Sequence, residues 1–315
     1  MSDDSTPTPE MREKTADITR RWQIGELPFR EALSTLTAYL AHAKASGHRA
    51  NQARVHNSLG FLQGYRGNLT ASINHYEHAH NLYKLIGDDR SVMAADLNTG
   101  VNYRLKGDFN RALTLFRSVQ EQAETLEAYT AQAMAMSNEA LVQLRMERQE
   151  TAMRVLDKLM AFADQHYDPT DNNWPIIVCE GCYGLALAHI RAGDHQAAWD
   201  ASMRSWQIAQ ERDEPMYHGY ANRTMAFVIE VIDGVPSADF KTDPDTYFAA
   251  SVRAFKSIKA EAELAQTMFA HALSLGRRGM RTTAARKLQQ SLVIFTRLGM
   301  VDDAARAAEA QLTMI

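Results

Sequence analysis

The sequence predicts an all-α fold: a solenoid of stacked antiparallel helix pairs ending in a capping helix. Composition is the first reason, because Ala, Leu, Met and Arg abound while β-branched residues are thin. The second is a recurrence of one small residue followed by an apolar one. Ala32-Leu33, Ser72-Ile73, Ala112-Leu113 and Ala152-Met153 stand 40 residues apart, and Ala198-Trp199, Ala284-Ala285 and a degenerate Ser251-Val252 follow. The third is glycine placement: Gly67, Gly107, Gly193 and Gly279 each precede one of these dipeptides by five residues, where a turn between two helices belongs.

Residues 1–10 are polar and Pro-bearing and read as a disordered tail before one helical-repeat domain spanning 11–313. The first pair covers 11–46, with its turn at 25–28. The second covers 50–86, closed by Gly87. The third and fourth cover 90–125 and 129–165. The next dipeptide comes late, and the excess sits in a loop at 166–175, HYDPTDNNWP. The fifth pair covers 176–193 and 195–211. The sixth is split: a helix at 215–233, a loop at 234–242, then a helix capped by Asp243 with Pro244 as its first residue. A seventh pair spans 260–297. The closing helix, 301–313, is expected to bury Ala304, Ala305, Ala308 and Leu312 and to show Asp303, Arg306 and Glu309 to water. In each pair the first helix carries small residues and the second an apolar stripe, so neighbours must stack to bury both.

Composition bounds function as well. The 315-residue chain has a net charge of −4 and a pI near 6.3, which argues against general affinity for nucleic acid or anionic membrane. Two cysteines cannot build a disulfide framework, and the acidic start is unlike a secretory signal; a cytoplasmic location is expected.

The stretches LGFLQGYRGNLTASINHYEHA (59–79), TGVNYRLKGDFNRALTLFRSV (99–119) and AHIRAGDHQAAW (188–199) resemble tetratricopeptide repeats (TPRs). The last pair matches in part, over 275–292, and the first only weakly. The closing segment, 291–312, and the 40-residue period are similar to TPR arrays of bacterial MalT-type multidomain regulators. The resemblance implies a right-handed superhelical solenoid whose first helices line a concave groove that binds a protein or extended peptide. It also suggests the sensing or docking half of such a system, with no nucleotide-binding loop or DNA-binding helix pair evident.

Within that groove, Asn98 and Asn138 occupy matching positions, Asn222 is aligned with them through ANRTM, and Asn57 lies one position off. Amide side chains donate and accept, so a row of them can hold a peptide backbone. Arg104, Arg145, Arg191 and Arg277 fall near the ends of first helices, where guanidinium forks could meet an acidic peptide or a carboxyl terminus. A cation there also simply offsets a helix dipole. Phe61, Tyr65, Tyr183 and Phe269 are candidate apolar pockets or plain packing. The lysine and asparagine set of the TPR carboxylate clamp is incomplete.

Other clusters carry less. Cys179 and Cys182 form a lone CxxC without a second pair, so buried packing outweighs zinc. His75, His78 and His80 share a second helix and are expected on its exposed outer face; Asp168, Asp171 and Asn172 read as turn residues. Arg277, Arg278, Arg281, Arg286 and Lys287 make a basic patch without interleaved aromatics, a solvated face or docking site rather than a nucleic-acid site. No nucleophile–base arrangement or phosphate-cradling loop is visible. The expectation is therefore a non-enzymatic interaction module without cofactor, metal, nucleic-acid or membrane partner, self-association being left open. A peptide-sensing receptor and a structural assembly subunit are the alternatives.

Overall fold

The computed structural model describes residues 4–23, 25–168, 170–232 and 239–314. Among these residues there are fifteen α-helices and no strand. They fall into two compact units, 1–131 and 132–315. The first holds α1 (Pro9–Gln23), α2 (Phe29–Ala45), α3 (Arg49–Tyr65), α4 (Leu69–Ile86), α5 (Asp89–Lys106) and α6 (Phe109–Thr125). The second holds α7 (Tyr129–Arg145), α8 (Gln149–His166), α9 (Asn173–Ala192), α10 (His195–Arg212), α11 (Pro215–Val231), α12 (Pro244–Ser257), α13 (Glu261–Arg277), α14 (Arg281–Arg297) and α15 (Val301–Met314); α7 begins just before the boundary.

The expected turn glycines all take the left-handed conformation: φ is 81° at Gly67, 82° at Gly107, 78° at Gly193 and 82° at Gly279. Asp108 and Asp194 then cap the next helix, each accepting a backbone N–H three residues on, at 3.3 and 3.0 Å. Asn68 instead donates to Gln63 Oε1 at 2.7 Å. The fourth pair keeps the geometry without the glycine: Glu147, 40 residues beyond Gly107, stands at φ 59°. A side chain there costs about 1–2 kcal/mol in conformational energy. Set against glycine's greater unfolded-state freedom, Glu147→Gly is expected to raise stability by about 0.5–1 kcal/mol, measured by urea unfolding. A loss of stability would show that the Glu147 side chain contributes more than its strain costs.

Close approach within a pair is what the small residues of the first helices permit. A Cβ on Gly60 would stand 2.9 Å from the ring of Tyr76, and one on Gly100 2.7 Å from that of Phe116. The same contact recurs in α11 and α12, where a Cβ on Gly219 would stand 2.5 Å from Phe255. Beside each of two of these contacts a serine hydroxyl of the second helix donates to the glycine carbonyl: Ser72 to Gly60 at 2.6 Å and Ser251 to Gly219 at 2.8 Å. Phe116 and Phe255 are fully buried.

Several expectations are corrected. Helix α9 starts at Asn173, so the predicted loop 166–175 is shorter at both ends. Trp174 is buried in the core with Leu159 and Met160, and Pro175 fits a first turn, where no N–H partner is needed. Most of the predicted loop 234–242 lies outside the described residues; Asp243 does cap α12, accepting the Asp245 N–H at 3.0 Å. Of the predicted tail, Asp4 accepts the Arg49 N–H at 2.5 Å, the Thr8 N–H donates to Asn51 at 2.9 Å, and α1 begins at Pro9. Helix α15 keeps part of the expected face, with Arg306 and Glu309 exposed and Ala304 and Ala308 half-buried, but Asp303 is buried beside Ala307, while Ala305 and Leu312 are exposed. Asp303 is turned inward because Arg145 provides its counter-charge.

Candidate functional site

In the first unit, the predicted groove residues separate into different environments. Phe61 and Tyr65 share one face of α3 and meet Trp22 of α1 edge-on, at ring separations of 6.1 and 5.5 Å. Tyr65 remains 45 % exposed, which leaves part of this aromatic cluster open. Asn57 and Asn98 are half-buried. Arg104 is half-buried too, with its Nε enclosed and without a hydrogen-bond partner among the described residues.

A cavity of about 540 Å³ opens among α4, α5 and α6, lined by Glu77, His80, Asp96, Tyr103 and Arg111 with smaller polar residues. His80 Nδ1 lies 2.6 Å from Asp96, whose pKa is raised by burial in spite of that partner. The Arg111 guanidinium sits 5.4 Å from the centre of the Tyr103 ring.

The histidines of α4 are not the uniformly exposed set that their spacing suggests. His75 and His80 are half-buried and only His78 is exposed. His56 of α3, which the sequence reading passed over, is buried with its Nδ1 3.0 Å from that of His75 and its ring 4.9 Å from that of His78. Burial, with the neighbouring His75, His78 and Lys44, pushes its pKa down to about 3.

In the second unit the asparagine column breaks. Asn138 lies two residues before Ala140, as Asn98 does before Gly100. By the Phe255 and Ser251 contacts, Gly219 is the equivalent position in α11, so Asn222 falls three residues after it. The 32 residues from Gly219 to Ser251, against 12 from Gly60 to Ser72, displace the register. Tyr217 takes the column position. Asn138 and Asn222 are both buried and donate to carbonyls of their own helices, Met134 at 2.9 Å and His218 at 2.8 Å.

What the first helices of this unit do bring together is a connected row of polar and aromatic groups. Ser137 of α7 donates to Glu180 of α9 at 3.2 Å, and Tyr220 of α11 donates to the other oxygen of Glu180 at 2.9 Å. Next to it Arg223 is buried: its Nη1 is 2.6 Å from Glu263 of α13, its guanidinium 4.5 Å from the Tyr183 ring and 5.0 Å from Tyr220, and its Nε has no hydrogen-bond partner among the described residues. Burial works against the charge of Arg223, but Glu263 and the two tyrosines outweigh it and hold the pKa above the ordinary arginine value. Tyr183 was expected; Arg223 was missed, although a cation between Tyr220 and Met225 in mid-helix was a signal.

The terminal arginines have different partners. Arg145 ends α7 and bonds to Asp302 and, at 2.6 Å, to Asp303 of α15. Arg191 is exposed and reaches the Leu144 carbonyl at 3.3 Å. In the basic patch Arg277 makes a two-pronged pair with Glu230 at 2.8 and 2.9 Å, and Arg278 bonds to Asp245. Phe269 is buried and stacks edge-on with Phe295 at 6.1 Å.

Cys179 and Cys182 are free and buried, their thiols pushed up to about 12 chiefly by that burial, which leaves them unreactive as thiolates at neutral pH. Among the described residues no group of three His, Cys, Asp or Glu is placed to hold a metal ion, and no helix is long and apolar enough to cross a membrane.

No protein-family model matches the chain, and no curated protein matches it significantly. Solved structures do. The apo form of RapI superposes with a TM-score of 0.68 at 12 % identity, over 96 % of this chain and 99 % of that one. The aspartyl phosphate phosphatase F of Bacillus subtilis gives 0.62 at 13 %, over 84 % of this chain and 63 % of that one. A Rap protein complexed with competence and sporulation factor gives 0.61 at 12 %, over 91 % and 80 %. At such identities the likeness establishes the fold: this chain has the all-helical repeat architecture of the Rap proteins.

Proposed function

We propose that this protein is a non-enzymatic, TPR-type interaction module that binds an extended peptide or a partner protein along the first helices of its pairs. The observation that carries the reading is the connected row from Ser137 through Glu180, Tyr220 and Arg223 to Glu263, flanked by Tyr183. Buried Ser137, Tyr220 and Arg223 fix the row on the first helices α7, α9, α11 and α13, and the half-buried Glu180, Tyr183 and Glu263 leave acceptors and a ring face partly open, which suits an extended backbone with side chains at intervals. Peptide sensing is the favoured form of this reading, because a protein of similar fold has been seen complexed with competence and sporulation factor. The likeness of 291–312 to MalT-type arrays points the same way. A cytoplasmic location fits two unoxidised cysteines.

The test begins with affinity capture from the native cell and mass spectrometry of what is retained. Asn98→Ala with Asn138→Ala is then expected to weaken the captured partner at least tenfold while circular dichroism stays unchanged. Unaltered affinity with an intact fold would remove the groove model. The similar fold of a named phosphatase makes phosphate release from an aspartyl-phosphorylated protein the enzymatic alternative. Release above the uncatalysed rate would overturn the non-enzymatic part of the reading.

A further inference from the structure

Helix α15 is held in an unusual way for a terminal helix. Only Asp303 and Ala307 are fully buried among its described side chains, and Leu312 is 77 % exposed, so the helix contributes little apolar surface to the core. At 14 residues it would be marginal alone. Besides this packing on α14, it has an ionic anchor. Asp302 and Asp303 meet the guanidinium of Arg145, 157 residues earlier in the chain, at a half-buried contact where Asp303 is only 7 % exposed. Arg306 Nη1 approaches Asp303 to 4.0 Å, its guanidinium lies 5.4 Å over the ring of Phe269, and Tyr183 stands near enough to act on it electrostatically. The Arg145 guanidinium therefore grips two adjacent carboxylates, and Arg306, on α15 itself, approaches the second of them. A partly buried pair of this kind is worth more than a surface ion pair, and its geometry is specific for carboxylate.

We infer that Arg145 is a carboxylate-binding site whose resident occupant is the Asp302-Asp303 start of α15, and that an extended peptide bearing two adjacent carboxylates displaces it and releases the helix, Arg306 leaving with it. This rests on the peptide-binding reading above and gives it a ligand class and a mode of regulation. The bound peptide replaces the same two charges at Arg145. The release exposes the face of α15 that carries Ala307, together with the surface of α13 and α14 on which it lay. Wild-type protein is self-occupied, so its affinity for an acidic peptide is reduced by the fraction of time the helix stays docked.

The experiment uses the full chain and a fluorescein-labelled peptide copying residues 299–305, Gly-Met-Val-Asp-Asp-Ala-Ala. Asp302→Asn with Asp303→Asn is expected to speed amide hydrogen exchange throughout 301–314 and to bind the probe at least tenfold more tightly than wild type does. Adding Arg145→Gln to that variant is expected to lose the gain, with Arg145→Lys restoring part of it. A probe with both aspartates replaced by asparagine, expected to show no tighter binding to the double Asn variant than to wild type, gives the same reading should the Arg145 variants fold poorly. Equal probe binding by wild type and the double Asn variant, or binding indifferent to Arg145 and to the probe's aspartates, would overturn the subsite. Faster exchange with no probe binding by any variant would also overturn it, and would leave the groove reading standing if the Asn98 and Asn138 substitutions still weaken the captured partner. The expected exchange and probe results with those asparagines inert would support the subsite and reject the asparagine row.

Discussion

Replacing Glu263 by alanine is expected to destabilise the second unit by about 3–5 kcal/mol, the usual cost of stranding one partner of a buried ion pair. Arg223 cannot escape by losing its proton, since its pKa is held above an already high ordinary value. Nor can it turn to water, because its side chain is 3 % exposed and packed against Tyr183, Tyr220 and Phe255. The rings offset part of the desolvation through their faces, yet the Nε already lacks an acceptor, so without Glu263 a second donor edge goes unmet. Arg223→Met with Glu263→Leu is expected to recover most of the loss, because a neutral pair of similar volume carries no desolvation penalty. Urea unfolding of the single and double variants closes the cycle. A Glu263→Ala loss under about 1 kcal/mol would mean that solvent reaches the guanidinium and that the row is softer than its geometry.

The second large effect is acid sensitivity of the first unit. His56 and His75 face each other through Nδ1 atoms 3.0 Å apart, so one ring donates and the other accepts; a second proton would set two N–H groups against each other. His78 and Lys44 add positive charge on the same side, and burial removes the water that would solvate an imidazolium. The folded pKa of His56 is therefore about 3, against an ordinary value of 6.5. Above pH 6.5 both folded and unfolded chains carry the neutral ring, and this group adds no pH dependence. As pH falls from 6.5 towards 3 the unfolded chain takes up a proton that the folded one refuses, so stability declines through that window and levels off below it. Between pH 7 and 4.5 the loss from His56 is about 2–3 kcal/mol. His75, also lowered by burial, adds to it in the same direction. His56→Gln keeps hydrogen-bonding capacity without a titratable proton and is expected to flatten most of that slope in urea midpoints taken at pH 7, 5.5 and 4.5. An unchanged slope would place the acid sensitivity elsewhere.

Much of the fold was legible because it is written in short-range rules. A glycine five residues before a small–apolar dipeptide dictates a left-handed turn wherever it stands, and Gly67, Gly107, Gly193 and Gly279 all obey. Helix limits followed within a few residues for the same reason. The candidate site was legible only where spacing stayed constant. Asn98 and Asn138 keep their column, but the longer connection before Ser251 moved Asn222 out of it, and a pattern match across ANRTM has no way to sense a displaced register. His56 and Arg223 were missed because what makes them notable is supplied by other helices. His56 gains its character from α4, and Arg223 from α9 and α13. The inward turn of Asp303 depended on an arginine 158 residues away, beyond any local pattern. Periodicity finds the frame; long-range charge pairing decides which faces of it are closed.

The glycine–ring contacts have a consequence for how such a chain can change over generations. Each fit is completed inside one hairpin: Gly60 with Tyr76, Gly100 with Phe116, Gly219 with Phe255. A half-hairpin moved elsewhere would bring a ring without its notch, or a notch without its ring. The smallest inheritable brick is thus the whole two-helix unit, and recombination that breaks inside one should be purged while duplication or loss of complete ones is tolerated.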